Sequence, residues 1–305
     1  MMAAQRIHAD FTPRGRLLYH EPMARHTSWR VGGPADRYFE PVDIDDLTAF
    51  IATLPEQEAM LWIGLGSNLL VRDGGIRGTV INTVGLNKLQ WVADGLLCAE
   101  AGVPCAKVAR TTARAGYTGA EFFCGIPGTV GGALAMNAGA FGSEAWSLAE
   151  QVESVDRTGQ RHRRSRADFR VGYREVVMPA EEWFVAGVLR VKADPDHAGE
   201  ARIRSLLARR TDTQPTGQPS CGSVFRNPAG DYAGRLIENC GLKGTRIGGA
   251  VVSEKHANFI VNEGGATATD IEQLIQLVRA CVHSQQGVSL ISEVRIVGEA
   301  KAGAT

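Results

Sequence analysis

Hydrophobic positions along the chain fall into two spacings. Leu47, Phe50, Ile51 and Leu54 recur at i, i+3, i+4 and i+7; Asp43 before them and Pro55 after them predict a helix with a cap and a stop. Leu61-Trp62-Ile63 and Thr79-Val80-Ile81 are short apolar runs that read as buried strands on either side of a glycine-rich loop. Asp94-Gly95 between residues 89–92 and 96–99 is a hairpin signal. Earlier, Gly32-Gly33-Pro34 is a turn that leads into a strand-like piece over residues 37–40.

Small residues dominate the next stretch. Pro104 at a first helical position and Gly116 as a C-terminal cap bracket a helix with Val108, Thr111 and Thr112 facing inward. A second helix, started by Pro127 and reaching Asn137, is built almost wholly of small side chains and can lie very close to a backbone or a ligand. Strands follow at 151–155 and 183–191, with a turn at Thr158-Gly159 and a basic stretch over 161–174. A charged helix over 200–210 leads into a linker at 211–220, where the composition shift places a domain boundary. Beyond it come strands near 224–225 and 258–261, then a helix with Thr269 and Glu272 as a capping box. Its stripe is Ile271, Leu274, Ile275, Val278 and Val282, Gly287 ends it, and residues 288–298 form a final strand.

Composition narrows the class. With 305 residues the chain has room for about two domains, and 33 basic against 33 acidic side chains leave no field to draw nucleic acid or an anionic membrane. Six cysteines without a C-x-x-C pair read as reduced cytosolic thiols, neither a disulfide framework nor a zinc site, so no metal is expected. The N-terminus has no apolar leader and no apolar run reaches about 18 residues, so the expectation is a soluble protein that stays in the cytoplasm. Residues 1–16 read as a loose arm.

Two glycine loops carry the candidate chemistry. Gly64-Leu65-Gly66-Ser67-Asn68-Leu69-Leu70 follows a predicted strand, and its glycines free successive N–H groups to point at one anion. Leu69 stands where a dinucleotide fingerprint needs its third glycine, and no Gly-Lys-Ser/Thr follows, so neither common phosphate motif is complete. The second loop runs from Gly125-Ile126-Pro127-Gly128-Thr129-Val130-Gly131-Gly132-Ala133 to Asn137-Ala138-Gly139-Ala140, with a helix N-terminus expected after Pro127. Each alone is also what a plain loop or a tight helix crossing looks like. Together they point to a pyrophosphate between them.

At these residues the chain resembles the UDP-N-acetylenolpyruvoylglucosamine reductase family. The resemblance runs from about Leu18 to Gly298, over the blocks 26–35, 64–73, 121–142, 172–174, 221–228, 256–262 and 292–295. It implies an α+β fold, with a two-lobed FAD-binding domain of the vanillyl-alcohol-oxidase type over 17–200 and a smaller α/β substrate-binding domain over 205–305. The final strand, 288–298, would bring Glu293 to the site. It implies non-covalent FAD, NADPH as hydride donor, and reduction of an enolpyruvyl UDP-amino sugar on the way to peptidoglycan. Cofactor residues carried over are Gly64, Gly66, Ser67, Asn68, Leu69, Ile126, Pro127, Gly128, Thr129, Gly131, Gly132, Asn137 and Gly139.

Ser223 matches the family's proton donor, Arg174 the arginine that holds the substrate carboxylate, and Glu293 the acidic partner. A bidentate guanidinium suits a carboxylate, and a carboxyl beside growing negative charge opposes it least when protonated. Without the resemblance, Ser223 reads as a turn serine, Arg174 as one of a solvated run of arginines, and Glu293 as an ion-pair partner of Arg295. Tyr173, Arg226 and Asn227 carry over as substrate-binding residues, with Lys243 or His256 as helpers at phosphate. The chain resembles the shorter subtype, which lacks an inserted segment whose tyrosine closes over the nucleotide. Arg226 departs from a frequent lysine, and its planar fork is not a point charge. Two other readings stay open: a flavoprotein oxidase or dehydrogenase of the same fold, and a nucleic-acid binder using residues 161–170, against which stands the overall neutrality.

Overall fold

The computed structural model describes residues 12–301. Two compact units emerge from contacts along the described chain: residues 12–19, 37–64 and 78–206 form the first, and residues 20–36, 65–77 and 207–301 the second. Two stretches of the N-terminal half thus cluster with the C-terminal third. Residues 1–11 of the expected N-terminal arm lie outside the described residues. The main-chain N–H groups of Arg14 and Gly15 both donate to the Asp46 carboxylate, at 2.9 Å each.

The first unit is built on two sheets. One ends in the parallel pair Ile76–Asn82 and Met60–Ile63, with Leu61 opposite Val80 and Trp62 opposite Ile81. The other is antiparallel throughout, ordered Arg161–Ser165, Ala149–Asp156, Glu182–Arg190, Leu96–Glu100, Leu89–Ala93. Helix Ile44–Ala52 forms where the apolar spacing places it: Asp43 caps it by accepting from Asp46 N–H, and Leu47, Phe50 and Ile51 are buried. Leu47 and Ile51 pack with Ile81, Val155 and Val185. Gly95, at φ 64°, makes the expected hairpin between Leu89–Ala93 and Leu96–Glu100.

Helix Cys105–Arg114 ends at Gly116, which takes the left-handed backbone a C-terminal stop needs (φ 78°). Pro104 sits one position before the helix as its cap, and of the three residues expected inside, Thr111 is only half-buried. The strand expected at 151–155 runs Ala149–Asp156, and the basic stretch contributes strand Arg161–Ser165.

In the second unit, helix Ala268–Gln286 buries Ile271, Leu274, Ile275, Val278 and Val282, and Gly287 ends it at φ 68°. Its capping box is Thr267 with Asp270, two residues earlier than the expected Thr269 and Glu272. Those two residues face elsewhere. Thr269 donates to Asp73 through both its main chain (2.9 Å) and its hydroxyl (2.7 Å), and Glu272 pairs with Arg72 through two bonds of 2.8 and 2.9 Å. Trp29, fully buried, donates its indole N–H to Ile260 O at 2.7 Å and anchors the core of this unit. Removing such a side chain typically costs about 3–5 kcal/mol.

The expected final strand is shorter than its apolar pattern. Only Arg295–Val297 is strand, paired in parallel with Leu69–Val71. Residues 291–293 bond instead to the segment around Phe225: Arg226 N–H donates to Ile291 O at 2.9 Å, Glu293 N–H donates to Val224 O at 2.8 Å, and Phe225 bridges Ser292. That segment also has no strand of its own at 224–225. The charged helix runs Gly199–Thr213, so it extends into the expected linker. No helix among the described residues is long and apolar enough to cross a membrane.

Candidate functional site

Within the first unit the second glycine loop is strapped to the chain before helix Cys105–Arg114. Cys105 N–H donates to Gly128 O (2.9 Å), Val130 N–H to Val103 O (2.9 Å) and Gly131 N–H to Ala101 O (2.8 Å). This ladder holds Thr129 extended, so the helix starts at Val130 and not at Pro127, and it ends at Ala135. The expected set of free N–H donors at that helix start is therefore reduced, since Val130 and Gly131 already have partners. Gly131 is needed for the close approach: a Cβ there would lie 2.7 Å from Ala101 Cβ.

What the loop offers an anion is different. Thr129 is 1% exposed, and its hydroxyl is buried without a hydrogen-bond partner. A Cβ on Gly64 would stand 2.4 Å from that hydroxyl, so only glycine fits there. On Gly132 a Cβ would meet nothing nearer than the same hydroxyl, at 3.8 Å, which leaves that face open. A buried, unbonded hydroxyl costs about 1–3 kcal/mol. A phosphate oxygen accepting from it beside the open glycine would remove that cost. These residues fit the diphosphate of a dinucleotide cofactor such as FAD.

Arg174 is presented on a hairpin of strands Arg170–Gly172 and Glu175–Val177, in register with Gly172 opposite Glu175. Its backbone is left-handed, φ 55°, a conformation an arginine seldom takes. The guanidinium donates to Asn137 O (3.3 Å) and Gly139 O (3.0 Å) and lies 5.2 Å from the centre of the exposed Tyr173 ring. Asn137 is itself buried and left-handed, φ 45°. Its carboxamide donates to Glu144 Oε2 (2.8 Å) and Gly172 O (3.0 Å) and accepts from Trp146 N–H (3.2 Å). Other arginines of the basic stretch are engaged: Arg161 with Glu153 and Asp45, Arg164 with Glu182.

In the second unit, Gly66 (φ 60°) lets its loop press against His26, whose carbonyl would lie 2.0 Å from a Cβ there. The loop then meets the segment bearing Glu293. Asn68 Nδ2 donates to Glu293 O (3.0 Å), and Arg295 N–H donates to Asn68 O (3.2 Å). Ser223 is half-buried and follows Gly222, at φ 73°. The next residue, Val224, is bonded on both sides, by Glu293 N–H and to Asn258 O. The unit therefore brings Asn68, the Ser223 segment and Glu293 together through main-chain bonds.

Arg226 Nε is buried without a partner, a donor aimed where an acceptor is wanted. Asn227 accepts from Ala233 N–H at 3.1 Å, at the start of helix Ala233–Asn239. Lys243 pairs with Glu238 at 2.6 Å, and His256 Nδ1 accepts from Asn258 N–H at 3.2 Å. Cys221 lies buried with its thiol 3.4 Å from Leu69 O, and burial pushes its pKa up to about 12.

Sequence reasoning missed one residue. Asn258, 3% exposed, clamps Phe225 through both ends of its carboxamide, donating to Phe225 O (2.8 Å) and accepting from Phe225 N–H (3.0 Å). Its signal was available: an asparagine opening an otherwise apolar run must find partners when buried. Among the described residues no cluster of His, Cys, Asp and Glu is placed to hold a metal.

Comparison with known proteins gives the family. Residues 35–165 match the FAD binding domain family, and residues 214–297 match the C-terminal domain of UDP-N-acetylenolpyruvoylglucosamine reductase. The UDP-N-acetylenolpyruvoylglucosamine reductase of Alkalilimnicola ehrlichii is 58% identical over 301 residues, 99% of this chain and 100% of its own. That of Methylococcus capsulatus is 60% identical over 292 residues, 95% of each. The crystal structure of the Thermus caldophilus enzyme superposes with a TM-score of 0.79 at 32% identity, covering 93% of this chain and 98% of its own.

Proposed function

This chain belongs to the UDP-N-acetylenolpyruvoylglucosamine reductase family, and from that premise we propose that it uses FAD and NADPH to reduce the enolpyruvyl ether of UDP-N-acetylglucosamine to UDP-N-acetylmuramate, in peptidoglycan precursor synthesis. The observation that carries this reading is the identity to such reductases along essentially the whole chain. The α+β fold is theirs as well. Six cysteines, none in a disulfide among the described residues, fit a reducing compartment, and we place the reaction in the cytoplasm.

Thr129 and Gly132 are assigned to the cofactor diphosphate, with Gly64 keeping the hydroxyl side clear. The neighbouring Ile126, Pro127 and Gly128, and separately Gly66, Ser67, Asn68 and Leu69, are assigned to the cofactor on the strength of the resemblance. FAD, when bound, supplies to the substrate's terminal methylene the hydride equivalent that NADPH provides.

The chain's own residues handle the charge and the proton. Negative charge grows at the carbon beside the carboxylate and spreads into it. The Arg174 guanidinium, planar and permanently charged, is assigned to that carboxylate. Ser223 is assigned as the acid that delivers a proton to the carbon, closing the reduction. A hydroxyl is a weak acid, but the carbanion is a strong base, and the turn at Gly222 with the bonds at Val224 constrains the main chain that carries Ser223. Glu293 is assigned beside the growing charge. Arg226, with its unpartnered Nε–H, is assigned to the substrate diphosphate, and Asn227 and Tyr173 to the rest of the sugar nucleotide.

The test is direct. Purified chain, NADPH and the enolpyruvyl sugar nucleotide should consume NADPH in step with a product heavier by two hydrogens. Flavin reduction by NADPH with no such product, and turnover instead on an alcohol or sugar acid, would move the chain to the oxidase reading.

A further inference from the structure

Asn137 belongs to the block that resembles a cofactor loop, yet its carboxamide is committed inside the protein. Both amide hydrogens are used, on Glu144 Oε2 (2.8 Å) and Gly172 O (3.0 Å), and its oxygen accepts from Trp146 N–H (3.2 Å). Gly172 is the residue that enters the Tyr173-Arg174 turn. The Asn137 carbonyl in turn accepts from Arg174 Nη1 at 3.3 Å, while Gly139 O accepts from Nη2 at 3.0 Å. One asparagine thus holds both ends of Arg174: the turn that carries its backbone and the head of its side chain.

Three further observations bear on this. Asn137 is 1% exposed and takes φ 45°, a conformation in which asparagine is tolerated better than most residues. Gly139 leaves the seat open, since a Cβ there would stand 3.0 Å from Arg174 Nη1. Arg174 itself is left-handed, and such backbone persists only where the surroundings over-determine it. The residue assigned to the substrate carboxylate occupies a strained turn position, and Asn137 bonds that turn at Gly172 O.

We infer that Asn137 is a positioning residue for Arg174: it acts on the substrate's carboxylate step through the placement of that guanidinium, and not by contact with the flavin. This rests on the proposed reductase activity and on the role of Arg174 in it.

Two variants separate the possibilities. Asn137→Gly accepts the left-handed backbone without strain and removes the carboxamide; Asn137→Asp keeps the shape but turns the donor toward Glu144 and Gly172 O into an acceptor. Each is prepared as holoenzyme and followed anaerobically in the two half-reactions, with flavin content and melting temperature measured alongside. Both variants should keep wild-type flavin content. Reoxidation by the enolpyruvyl sugar nucleotide should slow by at least about tenfold more than reduction by NADPH. In an Arg174→Lys background, Asn137→Gly should add less than about threefold to the loss, because the residue it serves is already altered.

Loss of flavin, or equal slowing of both half-reactions, would assign Asn137 to the cofactor and overturn the inference. Full multiplicative loss in the Arg174→Lys background would overturn it too. Should Asn137→Asp not fold, Asn137→Gly alone decides. A wild-type protein that fails to turn over the enolpyruvyl substrate would instead refute the functional reading itself.

Discussion

The main-chain N–H of Glu293 donates to the carbonyl of Val224 at 2.8 Å, one residue beyond Ser223. Two residues 69 positions apart in sequence are thereby bonded to each other, and the Asn68 carboxamide secures the same segment by donating to the Glu293 carbonyl at 3.0 Å. The catalytic assignments in the second unit thus stand on main-chain bonds, which substitutions of the side chains leave in place.

Ser223→Ala should therefore remove a proton source without moving Glu293. Flavin reduction by NADPH is expected to proceed at close to the wild-type rate, while reoxidation by the enolpyruvyl substrate slows by roughly 10²-fold or more. Single-turnover stopped-flow of each half-reaction measures this. Equal slowing of both would make Ser223 a structural residue.

Arg174→Lys keeps the charge and loses the fork. A lysine cannot bond Asn137 O and Gly139 O from two nitrogens while also facing a carboxylate with a planar edge. The value of kcat/KM for the enolpyruvyl substrate should fall by roughly 10- to 100-fold, with a smaller change in the KM for NADPH. Steady-state kinetics with each substrate varied in turn will show the ratio.

Stability of the second unit should depend on Asp73. Its carboxylate accepts from Ala268 N–H (3.0 Å), Thr269 N–H (2.9 Å) and the Thr269 hydroxyl (2.7 Å), so it caps the long helix from a distant loop. Asp73→Ala should destabilise by about 1–2 kcal/mol, the cost of a lost helix cap. Urea unfolding measures it; an unchanged midpoint would show that Thr267 and Asp270 cap the helix unaided.

His256 should make the fold acid-sensitive. Burial lowers its pKa from the ordinary 6.5, and Lys243 adds to this while Glu238 and its own main chain oppose it. A histidine depressed in the folded state binds fewer protons there than when unfolded. Its contribution is complete above pH 6.5 and is lost progressively as pH falls below that value. His256→Gln should lose less stability than wild type between pH 7.5 and about 5.5. Parallel pH dependences in urea melts would contradict the assignment.

Elements whose causes are local were legible in the sequence. Asp43 before an apolar stripe, Asp94-Gly95 between two strands, and Gly287 after a helix each act within a few residues, and each does what its spacing predicts. The misreadings have non-local causes. Pro127 reads as a helix start, but bonds from 101–105 strap the loop and hold Thr129 extended. Thr269 and Glu272 read as a capping box, but Asp73 and Arg72 take them. The apolar pattern at 288–298 reads as one strand, but most of it packs irregularly against the segment around Phe225.

The candidate site divides the same way. The resemblance marked Ser223, Arg174, Glu293 and Thr129 from contiguous blocks. It could not show that Asn137, 37 residues before Arg174, holds that arginine's turn, nor that Asn258 clamps Phe225.

The most direct test of the account is the visible spectrum of the anaerobic holoenzyme through one cycle. The protein should carry a flavin band that bleaches on NADPH and returns on adding the enolpyruvyl UDP-sugar, but not on adding UDP-N-acetylglucosamine. A preparation that shows no flavin band and takes up no FAD, or a reduced protein that the enolpyruvyl sugar leaves bleached, would contradict it.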